Sequence, residues 1–77
     1  MTLKELEVYL YENAYVEHYT ELAPTDTFNQ LGIASAEGIQ FVLDLEEHLG
    51  IELDPIDIFD HPTVGLFTEY VSSKEIS

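Results

Sequence analysis

The sequence predicts an all-α protein, a small four-helix bundle with three main helices and a short third helix. Apolar residues recur at helical intervals in several segments, and residues typical of helix caps precede these segments. No segment shows the sustained period-two alternation that indicates a half-buried strand. We expect one domain over residues 1–77, with helices at about 3–17, 35–49, 55–60 and 63–73.

The first helix is predicted from its start signal and its periodicity. Thr2 and Glu5 have the spacing of a capping box, in which each side chain accepts a hydrogen bond from a backbone N–H at the helix start. The residues that then recur at helical intervals are Leu3, Leu6, Leu10 and Ala14. The apolar surface is widened by Tyr9, Tyr11 and Tyr15. Such rings either fill a core or stack on a ligand, and we favour the core.

A long loop is predicted from His18 to Ala34. Helical periodicity fades there, and the segment contains the turn formers or breakers Pro24, Thr25, Asp26, Thr27 and Gly32. Loops of this length are usually functional or disordered. Four apolar residues can attach it to the helices, namely Leu22, Phe28, Leu31 and Ile33. We therefore expect an ordered loop.

The remaining helices are predicted from their boundary residues. The second helix covers residues 35–49, and Gly50 ends it in the left-handed conformation. The third begins with Asp54 as the N-cap and Pro55 at the first helical position, where a missing N–H is harmless. Thr63 caps the fourth, whose apolar residues are Val64, Phe67, Tyr70 and Val71.

Composition excludes several classes of protein. Two Lys and Arg stand against 16 Asp and Glu, a net charge of −14, so the chain lacks the basic clusters that bind nucleic acids or anionic membranes. It has no cysteine, which removes disulfides and thiolate sites. The start resembles no targeting signal, and no stretch is apolar enough to span a bilayer. We expect a cytoplasmic monomer whose partners are proteins with basic surfaces.

The second helix has two faces. Plotted at 100° per residue, its core stripe consists of Gly38, Phe41, Val42, Leu45 and Leu49. The opposite face contains Ala36, Gln40, Leu43 and Glu47. Leu43 is a large apolar side chain among polar and acidic neighbours. One interpretation is a docking surface for basic partners, and the other is an acidic face that only meets solvent.

The residues that could support catalysis do not form a recognisable site. Ser35 lies in a segment that misses the G-x-S-x-G nucleophile pattern, and no strand precedes it. The three histidines are scattered, without the spacing of metal ligands. The glycines lie too far apart to form a phosphate-binding loop. We therefore expect a protein that is not an enzyme and holds no metal ion.

Four segments together resemble the acyl carrier and peptidyl carrier protein family. They are LGIAS at residues 31–35, LEEHLGIEL at 45–53, FDHPTV at 59–64 and YV at 70–71. Each piece is weak alone, but they follow the family's order along essentially the whole chain. The family pattern is Leu-Gly-x-Asp-Ser-Leu opening a helix, then Leu-Glu-x-x-x-Gly, then Phe-x-x-Pro-Thr-Val. The resemblance implies a four-helix carrier.

The resemblance to carrier proteins further implies that a transferase esterifies the Ser35 hydroxyl with 4′-phosphopantetheine from coenzyme A. The thiol of this arm would carry acyl or aminoacyl groups as thioesters between biosynthetic enzymes, of the polyketide, nonribosomal peptide or fatty acid type. The Pro62-Thr63-Val64 turn looks more like polyketide and peptide carriers, and the acidity suggests a free-standing protein. The docking residues would be Ala36, Glu37, Gln40, Leu43 and Glu47.

Two residues depart from the family pattern. Ala34 stands where the family usually has Asp, and Ala36 stands where Leu is common. The missing carboxylate at position 34 leaves an alternative open. In that alternative the chain is an unmodified, carrier-like acidic module that binds another protein through its second helix.

Overall fold

Four helices and their connections make up the computed structural model, which describes residues 1–76. The helices are α1 Leu3–Glu12, α2 Ser35–Leu49, α3 Asp57–Asp60 and α4 Val64–Glu75. Across residues 1–76 the one β-type pairing is an isolated antiparallel bridge between Thr27 and Thr63. The prediction of an all-α four-helix fold is confirmed. No helix in this part of the chain is long and apolar enough to cross a membrane.

The first helix is shorter than predicted, since it ends at Glu12 and not near residue 17. Ala14 adopts the left-handed conformation with φ +60°, and the N–H groups of Ala14 and Tyr15 bond to the carbonyls of Tyr11 and Leu10. These two bonds form a Schellman motif, which closes a helix C-terminus. The prediction that Ala14 continues the apolar stripe of the helix was therefore wrong.

The third helix begins two positions later than predicted, at Asp57 instead of Pro55. The prediction that Asp54 is the N-cap of α3 was also wrong, because the N-cap is Ile56 and no side chain caps this helix. The Oδ1 of Asp54 instead accepts a hydrogen bond from the N–H of Ile56 at 3.2 Å, within the turn before the helix. Its carbonyl also accepts from the N–H of Asp57 at 2.9 Å. This i to i+3 bond makes residues 55–56 a tight turn and delays the α-helix.

The other helix boundaries lie close to the predicted ones. Thr2 and Glu5 form the capping box of α1, with N···O distances of 3.1 and 2.9 Å. Thr63 caps α4 by accepting from the N–H of Leu66 at 3.2 Å, and α4 continues to Glu75 rather than ending near 73. Gly50 ends α2 with φ +67°.

The core lies between α1, α2 and α4. Its fully buried side chains are Leu6, Leu10, Phe41, Val42, Leu45, Val64, Phe67 and Val71. The rings of Phe41 and Phe67 meet at the centre, 5.5 Å apart between centroids. Of the α1 tyrosines, Tyr9 is buried and Tyr15 half-buried, whereas Tyr11 is exposed and was wrongly placed in the core.

The α1–α2 loop is held at several points. Its residues Leu22, Phe28 and Ile33 are buried in the core. The first N–H groups of α4 bond to loop carbonyls, Val64 to Asp26 at 2.8 Å and Gly65 to Pro24 at 3.0 Å. These contacts provide partners for backbone groups that a helix start leaves unpaired. The loop therefore reaches the start of α2 along a defined path, as the sequence predicted.

Candidate functional site

Ser35 is the first residue of α2 and is exposed. The preceding segment positions it, because Ile33 is buried and its N–H bonds to the carbonyl of Phe28 at 3.0 Å. Ala34 is the helix N-cap, and its carbonyl accepts the first helical hydrogen bond, from Gly38, at 2.8 Å. Within residues 1–76 the Ser35 hydroxyl has no hydrogen-bond partner. Its oxygen is therefore available to a partner.

A pocket of about 260 Å³ opens beside Ser35. Its apolar walls come from Phe28, Ile33, Ile58, Phe59 and Pro62. Gly38 faces the α3 side of the pocket, since a Cβ at Gly38 would lie 3.2 Å from Cδ1 of Ile58. The site can thus present a nucleophilic oxygen to solvent with an apolar hollow next to it.

The five residues predicted to dock partners are all exposed. Ala36, Glu37, Gln40, Leu43 and Glu47 lie along α2 from its first turn to its fourth. Leu43 is 42% exposed, whereas Leu45 of the core stripe is fully buried, so the two faces of the helix lie as predicted. Gln40 has a partner on its own helix, because its Nε2 donates to Oδ1 of Asp44 at 2.9 Å.

Two further exposed apolar residues near Ser35 were missed by the sequence reasoning. Ile39 is 36% exposed and stands four residues after Ser35 and four before Leu43, so the three share one side of α2. Phe59 is 52% exposed and lines the pocket beside Ser35. The i, i+4 spacing could have revealed Ile39. No local pattern could have revealed Phe59, because α3 brings it to the pocket.

Negative charge dominates around α2. Glu37 and Glu47 are exposed, and neither lysine is on this helix. Lys4 lies over the ring of Tyr19, 5.1 Å from its centroid. Lys74 lies over Tyr70 in the same way at 5.8 Å. The exposed side of α2 is therefore negatively charged.

Asp44 connects the exposed face of α2 to the α1–α2 loop. Its Oδ2 accepts a hydrogen bond from the hydroxyl of Tyr15 at 2.5 Å, and its Oδ1 accepts from Gln40. Burial and this bond to a carboxylate raise the pKa of Tyr15 above its ordinary value of 10.0. Tyr15 therefore stays protonated at neutral pH and keeps donating to Asp44. The bond fixes the loop against the helix that begins with Ser35.

The histidines are not placed to activate Ser35. None of His18, His48 and His61 lines the pocket beside Ser35. His48 packs against Tyr9 near the far end of α2, and His61 stacks on Tyr70. Across residues 1–76 no group of three His, Cys, Asp or Glu side chains is arranged to hold a metal ion.

Comparison with known proteins agrees with this geometry. The family model described as "Phosphopantetheine attachment site" matches residues 17–71. Surfactin synthase subunits 1 and 2 of Bacillus subtilis (strain 168) are each 41% identical over 56 residues, which is 73% of this chain and 2% of theirs. One subunit of the phenolphthiocerol/phthiocerol polyketide synthase of Mycobacterium tuberculosis is 32% identical over 57 residues, 74% of this chain and 3% of its own. No solved structure matches significantly.

The chain belongs to the phosphopantetheine attachment family, because the family model covers most of it. Members of this family carry 4′-phosphopantetheine covalently on a serine, and they are carriers, not enzymes. The chain therefore has a carrier role. It spans only a few per cent of the length of the curated relatives it matches.

Proposed function

We propose that Ser35 is the attachment site, so that this chain carries acyl or aminoacyl thioesters on a 4′-phosphopantetheine arm. The observation that carries the proposal is the placement of Ser35, an exposed hydroxyl at the first position of α2 beside an apolar pocket. The N-terminal end of a helix favours a negatively charged phosphodiester. When bound, the arm supplies the thiol that a cysteine-free chain lacks.

The attachment step needs one oxygen from this chain. The Oγ of Ser35 forms a bond to the phosphorus nearest the pantetheine part of coenzyme A. The bond from that phosphorus to the oxygen of the adenosine 3′,5′-bisphosphate part breaks, and this part leaves. The hydroxyl proton passes to a base on the transferase. The chain's own contribution is to present Ser35 on a firmly anchored segment, and the buried Ile33 two residues earlier supports this presentation.

We propose that the exposed face of α2 is where partner enzymes dock. The five residues named above, Ala36, Glu37, Gln40, Leu43 and Glu47, combine two carboxylates with one large apolar side chain. Charge accelerates the encounter with a basic enzyme surface, and the modest apolar area permits release. The transferase and the biosynthetic enzymes would share this face, and the chain would meet them as a monomer.

We propose a pathway of the polyketide or nonribosomal peptide type. The curated relatives named above and the Pro62-Thr63-Val64 turn support this choice over the fatty acid type. Free-standing action of residues 1–77 as a single domain in the cytoplasm belongs to the same proposal. The net charge of −14 supports only the free-standing part, because it favours encounters with separate basic enzymes. The test is to add the loaded chain in trans to separate synthase modules and measure acyl transfer.

The attachment itself is tested by intact-mass measurement. The wild-type chain and Ser35→Ala are incubated with coenzyme A and a promiscuous phosphopantetheinyl transferase. The wild type should gain the mass of one phosphopantetheine, and Ser35→Ala should gain none. Ser73→Ala is the matched control, because Ser73 is also an exposed serine on a helix, and it should be modified like the wild type.

A second candidate function is favoured by one observation. The N-cap of α2 is Ala34, which has no carboxylate. An unmodified acidic module would use the α2 face for binding and would not need Ser35. This candidate is supported if the wild type gains no mass and Ala34→Asp gains none either, while a basic partner protein still binds. It is contradicted if Ser35→Ala abolishes acyl transfer in a reconstituted pathway.

A further inference from the structure

The helix that presents Ser35 begins without the cap that the other two long helices have. α1 and α4 start with Thr2 and Thr63, whose hydroxyls accept hydrogen bonds from first-turn N–H groups. α2 is the longest helix of the described chain, yet its N-cap is Ala34, whose methyl group accepts no hydrogen bond. A helix start without a side-chain cap is less stable, because it lacks one hydrogen bond that holds the first turn in place.

Glu37 partly compensates for this deficiency. Its Oε1 accepts a hydrogen bond from the N–H of Ala34 at 3.4 Å. This is the half of a capping box that the third helical residue supplies, and either Glu or Gln can supply it. The bond spans the peptide that joins Ala34 to Ser35. Among the described residues, it is the side-chain hydrogen bond recorded at this helix start.

We infer that Glu37, besides the docking role proposed for its charge, is a positioning residue for the modification of Ser35 and that it acts in this second role through the hydrogen bond. This inference rests on the proposed attachment at Ser35. Ile33 anchors the chain on one side of Ser35, and the first helical bond from Gly38 to Ala34 anchors it on the other. The Glu37 bond holds the Ala34 N–H as well, so the backbone that presents the Ser35 hydroxyl is held in one position. Orientation of a nucleophile contributes to the rate of its reaction.

Two substitutions of Glu37 separate the effect of its charge from the effect of its hydrogen bond. Glu37→Gln removes the charge but keeps an oxygen that accepts from Ala34, whereas Glu37→Ala removes both. A docking charge acts on encounter and therefore on the KM of the transferase for this chain. Positioning of the hydroxyl acts after docking and therefore on kcat. The two variants should share the same change in KM and differ in kcat.

The kinetic experiment measures phosphopantetheine transfer at saturating coenzyme A over a range of carrier concentrations. Glu37→Ala should lower kcat by about fivefold, the equivalent of one lost cap. Glu37→Gln should keep the wild-type kcat. Both variants should change the KM for the carrier equally, because both lose the charge of Glu37. Glu69→Ala is the matched control, because Glu69 is an exposed glutamate on α4, and it should change neither value.

A second readout needs no transferase. Hydrogen exchange of the Ala34 amide in the unmodified chain should become faster in Glu37→Ala and stay unchanged in Glu37→Gln. The inference is overturned if this exchange is the same in both variants or if both lower kcat equally. A different result is faster exchange in Glu37→Ala alone while the wild type gains no mass at Ser35. This result would confirm the hydrogen bond of Glu37. The proposed attachment, and with it the positioning role, is then wrong.

Discussion

The buried carboxylate of Glu7 accepts a hydrogen bond from the backbone N–H of Leu22, 15 residues further along the chain, at 2.8 Å. Its other oxygen accepts from the hydroxyl of Tyr19 at 2.9 Å. A carboxylate on α1 thus provides a partner for a buried N–H of the α1–α2 loop. This pairing helps to fix the loop that leads to Ser35.

Acid should weaken this attachment. The Leu22 N–H and then the Tyr19 hydroxyl lower the pKa of Glu7 below its ordinary value of 4.5, against the opposing effect of burial. A lowered pKa in the folded state contributes stability that is present above about pH 4.5 and is lost as the pH falls through the lowered value. At pH 7 the wild type should therefore be more stable than Glu7→Gln. The gap should shrink below about pH 4.5.

Urea unfolding of both proteins between about pH 7 and pH 3 measures the gap. Glu69→Gln is the control for the removal of one exposed carboxylate. A gap between wild type and Glu7→Gln that stays constant over this range would show that the ionised carboxylate does not hold the loop.

Ala14→Gly should stabilise the protein. Ala14 has φ +60°, a conformation in which an L side chain is crowded and glycine is not. The expected gain is about 0.5 to 1 kcal/mol in the free energy of unfolding, measured with urea. Ala23→Gly is the control, since Ala23 is an exposed loop alanine outside the left-handed region, and it should destabilise. Destabilisation by both substitutions would contradict the role given to Ala14 at the end of α1.

Ala14 also shows which part of the fold could not be predicted from the sequence. Capping residues, apolar spacing and Gly50 predicted the number of helices and the bounds of α2. The end of α1 was not predicted, because a Schellman motif usually has glycine where this chain has Ala14. The start of α3 was not predicted either, because Asp54 accepts hydrogen bonds from Ile56 and Asp57 in a tight turn before the helix. In both cases the residue types give no sign of the backbone conformation that the chain adopts.

The candidate site was predictable in one part only. Ser35 and the exposed face of α2 follow from helical periodicity and from the resemblance to carrier proteins. The pocket beside Ser35 draws its walls from the loop, α2, α3 and Pro62, so it exists only once these segments pack. The hydrogen bond from the Ala34 N–H to Glu37 likewise depends on a side-chain conformation.

Gly65→Ala should destabilise the protein. A Cβ at Gly65 would lie 2.8 Å from the carbonyl oxygen of Pro24 and 2.9 Å from its Cβ, so α4 and the loop would have to separate. The expected loss is about 1 to 3 kcal/mol in urea unfolding. Gly38→Ala is the comparison, because its new Cβ meets only the tip of Ile58, at 3.2 Å. Gly38→Ala should be nearly neutral, and equal losses would contradict the close contact assigned to Pro24.

Leu43 and Leu45 should separate docking from stability. Leu45 is fully buried, and Leu45→Ala should cost about 2 to 5 kcal/mol of unfolding free energy. Leu43 is 42% exposed, and Leu43→Ala should cost much less while raising the KM of partner enzymes for this chain. Urea unfolding and transferase kinetics on the same preparations measure the two effects. Equal destabilisation by both substitutions would mean that the α2 faces are assigned wrongly.

The intact mass of the chain after reaction with coenzyme A and a transferase shows whether Ser35 is the site of phosphopantetheine attachment. The wild type should gain one phosphopantetheine, fragmentation should place it on Ser35, and Ser35→Ala should gain none. Addition to another residue, or no addition to either the wild type or Ala34→Asp while Ser35 stays exposed, would contradict attachment at Ser35.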